Sequence, residues 1–318
     1  MNLLAIPKMF LRRSFVGSPA DSGNTLPIRL AVMGDSLSTG FHVSSVLPMI
    51  IRARLCGRNW VVDDSGQINS VFERLATKIP VELEYLAYVS AHVNSECGRS
   101  LLDRVVGTMH MSDQVDRLLN LRRFPHVILI WMGHNNLDWV QSCSSGEIDP
   151  SALQNLAEEA VRAYEAQLLR LWSVAANQSH KVTFVVFALV SFEFFFAARE
   201  AIEAIKIRDP SRYPFLENDY QYFQSMRKPY RSGMIQLANM INSRLQAMVH
   251  RTEGWKGSRG MVSARFSTAL HDAPINRPEM LCEVDAWHPS RRGHQILAEH
   301  AFPVVWQHVQ EHHALEQP

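Results

Sequence analysis

Short apolar runs alternate with helical stretches along this chain, and that alternation leaves few folds open. The runs are Ile28 to Met33, Val81 to Ala91, Val127 to Met132, Val182 to Val190 and Met261 to Phe266. Runs of this kind, bounded by turn residues, read as strands buried on both faces. Between them the helical patterns are clearest at Ala152 to Ala175 and Ser232 to Val249, and Ser44 to Leu55 is rich in helix formers. Parallel neighbours in a sheet need a crossover, and the crossover is usually a helix. The expected fold is therefore α/β, with five strands in a single domain. Pro and Gly are spread along the chain, and no linker or internal repeat marks a boundary.

Charge says little about partners. The 318 residues carry a formal net charge of +1, from 32 basic and 31 acidic side chains. Neither nucleic acid nor an anionic membrane would be drawn to such a surface. The apolar runs are too short to cross a bilayer. Cys56, Cys97, Cys143 and Cys282 form no Cys-x-x-Cys pair and read as buried thiols. Met1 to Phe15 contains Lys8, Arg12 and Arg13 but only broken apolar stretches. That is a poor secretory signal, so a cytoplasmic protein is expected, with a basic targeting presequence as the alternative. His308 and His312 are spaced to share a helix face, and without a third ligand they read as a solvated helix end.

Three short constellations bear chemistry. Gly34-Asp35-Ser36-Leu37-Ser38 follows the first run, so Ser36 should stand where a strand gives way to a helix, with free N–H groups beside it. Trp131-Met132-Gly133-His134-Asn135-Asn136 ends the third run. There, glycine permits a sharp turn, and the Asn135 amide could donate to an oxyanion or merely cap the turn. His134 could approach the site, but reads more readily as a solvent-facing turn residue. In Asp285-Ala286-Trp287-His288-Pro289, a spacing of three puts carboxylate and imidazole on one side, so that Asp285 can orient one ring nitrogen while the other faces a nucleophile. A nucleophile, a base and an orienting acid are the parts of covalent acyl transfer.

In their order and spacing these blocks resemble the SGNH, or GDSL, hydrolase superfamily over roughly Ile28 to Val305. The resemblance implies a flavodoxin-like, three-layer α/β/α fold with a five-stranded parallel sheet of order 2-1-3-4-5. It would occupy residues 27–306, after an extension over 1–26 and before a tail over 307–318. It also implies Ser36 as nucleophile, His288 as general base, Asp285 as its partner, and an oxyanion hole from the Ser36 N–H and Asn135. The family's second block survives only as Val89-Ser90-Ala91, with alanine where a glycine is usual, which makes Ala91 the remaining oxyanion donor unless the block shifts to Gly98. Asn136 stands where the family usually has Asp.

The implied activity is hydrolysis of small-molecule carboxylic esters, lipophilic acyl esters among the candidates, by a serine esterase with no metal or organic cofactor. An O-acyltransferase would use the same residues, and a silent binding protein could keep the same fold. The stretch from Ser191 to Ser232 is long for a connection and opens with Phe192-Glu-Phe-Phe-Phe196. It is expected to form an insertion or lid, with Phe194, Phe195 and Phe196 either lining an acyl pocket or packing in the core.

Overall fold

The computed structural model describes residues 13–17, 26–39, 59–63, 66–88, 91–94, 110–143, 149–213, 228–255, 261–283 and 285–316. Its strands are β1 (Arg13–Gly17), β2 (Ile28–Gly34), β3 (Val81–Tyr85), β4 (Val127–Trp131), β5 (Val182–Phe187) and β6 (Val262–Ser267). They form one sheet in the order β1-β3-β2-β4-β5-β6. The last five are parallel in the expected order. The strand β1, inside the segment assigned to the amino-terminal extension, adds an antiparallel edge on β3. Its neighbour's sequence, Val-Glu-Leu-Glu-Tyr, alternates between buried and half-buried positions, whereas Val-Ile-Leu-Ile-Trp in β4 is buried throughout. A central parallel strand is covered on both faces and tolerates no polar position.

The helices are α1 (Ser36–Thr39), α2 (Val71–Ala76), α3 (Met111–Leu119), α4 (Pro150–Ala175), α5 (Phe192–Arg208), α6 (Lys228–Arg251) and α7 (Arg291–Glu316). Helices α3, α4 and α6 pack in series in one layer, and α7 packs on α2 and β2 in the other. Side-chain caps set two of the starts. Asp149 accepts from the Ser151 N–H before Pro150 opens α4, and Ser191 accepts from the Phe194 N–H at the start of α5. The pattern at Ser44 to Leu55 lies outside the described residues. Among those described, no helix is long and apolar enough to cross a membrane.

Register brings the carboxyl ends of three strands level. Gly34 pairs with Trp131 at the ends of β2 and β4, and beyond the end of β3 the Tyr88 N–H donates to the Gly34 carbonyl at 3.0 Å. The chain runs from β2 to β3 on one side and then returns to β4 on the other. A parallel sheet opens a crevice at such a reversal.

The opposite end of the sheet corrects the reading of a solvated tail. Helix α7 runs on to Glu316, and both His308 and His312 are buried. His312 Nε2 lies 3.0 Å from Thr183 Oγ1, and His126 Nδ1 accepts from the Arg29 N–H at 2.9 Å. The turn spacing of the two histidines was right, but the face they share is pressed onto the sheet.

Burial, assisted by the Arg29 charge, pushes His126 down to about 3 from its ordinary 6.5, and burial beside Lys181 brings His312 to about 4. Burial, with His288 nearby, also takes His294 down to about 3. Glu73 is pushed the other way by burial, up to about 7. Between pH 4.5 and 6.5 the unfolded chain thus binds about three more protons at the histidines, and the native state about one more at Glu73. The net sign makes stability fall as pH falls, by about 1.4 kcal/mol per pH unit for each net proton. Urea midpoints should therefore drop between pH 7 and pH 5, and His312→Gln should flatten the dependence. Equal midpoints at the two pH values would mean that these imidazoles take up protons in the native state.

Candidate active site

The first turn begins with a position that only glycine can fill. A Cβ at Gly34 would lie 2.4 Å from Ser38 Oγ and 3.0 Å from the Trp131 carbonyl oxygen. The buried Gln114 of α3 clamps the same residue, accepting from the Gly34 N–H at 2.9 Å and donating to its carbonyl at 2.8 Å. The Tyr85 hydroxyl donates to the Ser38 carbonyl at 2.5 Å from the neighbouring strand. Ser36 opens α1 between these anchors and is 4% exposed.

Asp35 is fully buried and ties this turn to the one after β4. Its Oδ1 accepts from the Leu37 N–H at 3.1 Å. Its Oδ2 accepts from the N–H groups of Gly133 and His134 at 3.2 and 3.1 Å, and meets His134 Nδ1 at 2.8 Å. Gly133 has φ +123°, a conformation that side chains rarely adopt, and this aims both N–H groups at one oxygen. His134 is therefore not a solvent-facing turn residue but is 1% exposed, and its Nε2 accepts from the Val190 N–H at 3.3 Å. Those two partners fix the tautomer, with the proton on Nδ1. The buried Tyr164 hydroxyl is held neutral, its pKa raised well above 10 by burial and, secondarily, by the Asp35 charge.

The next two residues hold the third strand's loop. Asn135 Nδ2 donates to the Ala91 carbonyl at 2.8 Å, while the Ala91 N–H points to the Tyr88 carbonyl at 3.4 Å. Ala91 thus meets Asn135 through its oxygen. Asn136 Oδ1 accepts from the Val93 N–H at 3.0 Å, an acceptor role that needs no charge. Val89, Ser90 and Gly98 lie outside the described residues.

Asp285 and His288 share a tight turn before α7. Asp285 Oδ1 accepts from the N–H groups of Trp287 and His288 at 3.0 and 3.1 Å, and its Oδ2 lies 2.5 Å from His288 Nδ1. A carboxylate at that nitrogen keeps the proton there, so Nε2 is the basic nitrogen. The turn is closed by a bridge between Leu281 and Pro289, with the Cys282 N–H donating to the His288 carbonyl at 2.8 Å. Helix α7, which follows at once, packs on β2, the strand that presents Ser36.

Helix α5 leans on the same turn. Phe195 meets the Trp287 ring edge to face at 4.7 Å between centroids, and Phe192 lies 5.9 Å from it. Phe192, Phe195 and Phe196 are buried among themselves, and Phe194 is half-buried. Of the rings expected either at an acyl pocket or in the core, Phe195 and Phe196 pack on each other and on Phe192, and Phe195 also packs on Trp287. The rest of the expected lid, residues 214–227, lies outside the described residues. Among those described, no group of three His, Cys, Asp or Glu side chains could hold a metal.

Residues 30–301 match the family described as GDSL-like Lipase/Acylhydrolase, a span that takes in all three constellations. The chain belongs to that family. Membership makes it a hydrolase and ties it, at family level, to ester hydrolysis. Among solved structures it is similar to an extracellular lipase from Streptomyces rimosus, with 13% identity and a TM-score of 0.45 over 88% of this chain and 99% of that one. It is similar also to phospholipase A1 from Streptomyces albidoflavus, with 13% identity and a TM-score of 0.44 over 89% and 99%. The lipase Lip_vut3 from a goat rumen metagenome gives 14% identity and a TM-score of 0.43 over 86% and 95%. No curated protein matches the chain in sequence.

Three buried polar residues beside these turns went unnoticed in the sequence: Asp35 as a hub, Gln114, and Arg199 of α5, whose Nη1 donates to the Ala286 carbonyl at 3.1 Å. Gln114 and Arg199 could have been suspected, because each interrupts the apolar face of its helix, and a polar side chain there needs a partner. Removing Asp35 should be costly, since Asp35→Ala leaves several buried N–H groups without an acceptor. The loss should be about 3 kcal/mol or more, a fall in Tm of about 5 °C. A thermal melt within two degrees or so of wild type would show that the two turns are held by something else.

Proposed function

We propose that this GDSL hydrolase is a serine esterase that cleaves small carboxylic esters through an acyl-enzyme. The observation that supports it best is the Asp285–His288 pair, in which one carboxylate fixes both the backbone and Nδ1 of the imidazole. Ser36 Oγ attacks the ester carbonyl and passes its proton to His288 Nε2. The oxyanion that forms accepts from the Ser36 N–H and from Asn135 Nδ2, whose other hydrogen is committed to the Ala91 carbonyl. Ala91 therefore serves by orienting the Asn135 amide, and its N–H is the third donor to test. His288 then protonates the leaving alkoxide as the C–O bond breaks, leaving the acyl group on Ser36. Water loses a proton to Nε2 and attacks the acyl-enzyme, and as the Oγ–acyl bond breaks to release the acid, His288 returns that proton to Ser36 Oγ. None of these steps calls on a metal or organic cofactor.

Ser36→Ala should cut turnover of p-nitrophenyl acetate by about a thousandfold or more at unchanged Tm. In the wild type, a fluorophosphonate should label Ser36. A Ser36→Ala variant that keeps a tenth of the activity would overturn the assignment. Adding an alcohol to the same assay separates hydrolysis from acyl transfer, since a transferase would form the new ester and release nitrophenol faster.

The aromatic rows of α5 support no choice of acyl length. Phe195→Ala should lower Tm and slow hydrolysis of acetate and palmitate esters alike, because the ring supports Trp287. A loss confined to long chains would instead restore Phe194 to Phe196 as the wall of an acyl pocket, where each methylene of the substrate is worth up to about 0.8 kcal/mol.

A further inference from the structure

The turn that joins the acid to the base contains a strained residue. Ala286 has φ +51°, in the left-handed region, which strains a residue that carries a Cβ. Such a conformation persists only where its surroundings over-determine it. On the amino side the Ala286 N–H donates to the Cys282 carbonyl at 2.9 Å. The Ala286 carbonyl is turned out of the chain by the same kink, and the donor that reaches it is Arg199 Nη1, at 3.1 Å from α5.

Arg199 is an unexpected occupant of that place. It lies on the stripe formed by Phe192, Phe195, Phe196 and Ile202, and it is completely buried. A charge in the core must be paired and hydrogen-bonded. Glu203, one turn on, lies 3.8 Å from Arg199 Nε and also pairs with Arg231 of α6. Arg231 reaches Glu200 at 3.5 Å and sits 5.2 Å over the Phe196 ring. Two arginines and two glutamates thus compensate each other, and Arg199 Nη1 is aimed at the Ala286 carbonyl oxygen. An aliphatic residue in the same place would pack as well but would leave the Ala286 carbonyl without this donor.

We propose that Arg199 is a positioning residue for the acid–base turn, which rests on the reading of His288 as the general base. The Ala286 carbonyl belongs to the peptide whose N–H, that of Trp287, donates to Asp285 Oδ1, and the next N–H, that of His288, donates to the same oxygen. By holding that carbonyl, Arg199 sets the rotation of the peptide and hence the direction in which Asp285 presents the imidazole. Small errors in such geometry are expensive, because proton transfer depends on placement within a few tenths of an ångström. Helix α5 acts on the turn twice, through its aromatic rings on Trp287 and through its guanidinium on Ala286.

The test uses Arg199→Lys, which keeps the charge and most of the volume but loses the fork, measured beside Ala286→Gly and the double variant. Glycine adopts the left-handed kink without strain, so it should reduce the turn's dependence on Arg199. Arg199→Lys should lower kcat for p-nitrophenyl acetate about tenfold or more with KM within about twofold, since the defect lies in proton transfer. Ala286→Gly should recover part of that loss. The downfield Nδ1–H resonance of His288 should shift or broaden in Arg199→Lys and return toward its wild-type position in the double variant. Wild-type kcat in Arg199→Lys, or a loss that Ala286→Gly leaves untouched with an unmoved resonance, would overturn the proposal and reduce Arg199 to a core residue. His288→Gln is the control: if it retains activity, the reading of His288 as base fails. If it is inactive while Arg199→Lys is unaffected, only the role of Arg199 fails.

Discussion

A single buried carboxylate organises the site. Asp35 sits between two parallel strand ends and accepts from three backbone N–H groups and one imidazole. Hydrogen bonds to an ionised oxygen are stronger than neutral ones, and in a water-free setting a donor left over is costly. The consequence is that the turn bearing Ser36 and the turn bearing Asn135 cannot move independently. Their spacing, on which an oxyanion hole depends, is a property of Asp35 rather than of either turn.

A second carboxylate repeats the device on a smaller scale. Asp285 binds two successive N–H groups with one oxygen and the His288 ring with the other. Both turns contain a residue of positive φ: Gly133 lies between the two N–H groups that converge on Asp35, and Ala286 immediately precedes the two that converge on Asp285. At Gly133 the kink is inexpensive. At Ala286 it is strained, and that is where α5 supplies aromatic packing and a buried guanidinium from outside the turn.

The sheet explains why these pieces meet. Level strand ends put the loops after β2, β3 and β4 at one edge, and Gln114 and Tyr85 brace the first of them from neighbouring elements. The opposite edge is devoted to stability, with buried neutral histidines where α7 crosses the strands. The share of the acid sensitivity that belongs to His126 and His312 is thus lodged at the end of the strands opposite the chemistry.

The sequence by itself determined the five parallel strands, the long helices α4 and α6 and the identity of the three constellations. Apolar periodicity reports burial directly, and Gly-Asp-Ser-Leu or Asp-x-x-His are local spacings. It did not disclose β1, whose Arg-Ser-Phe-Val-Gly has little apolar pattern, because an edge strand is held by backbone bonds that any residue can make. It misjudged His134, His308 and His312, since a polar residue next to a turn or near a helix end is usually wet unless a distant partner covers it. Only the tertiary structure decided which oxygen Asp35 shares with a turn 99 residues away, and that Arg199 reaches Ala286 across 87. Periodicity shows which face of a helix is inside. What that face meets there follows from the order in which strands and helices are stacked.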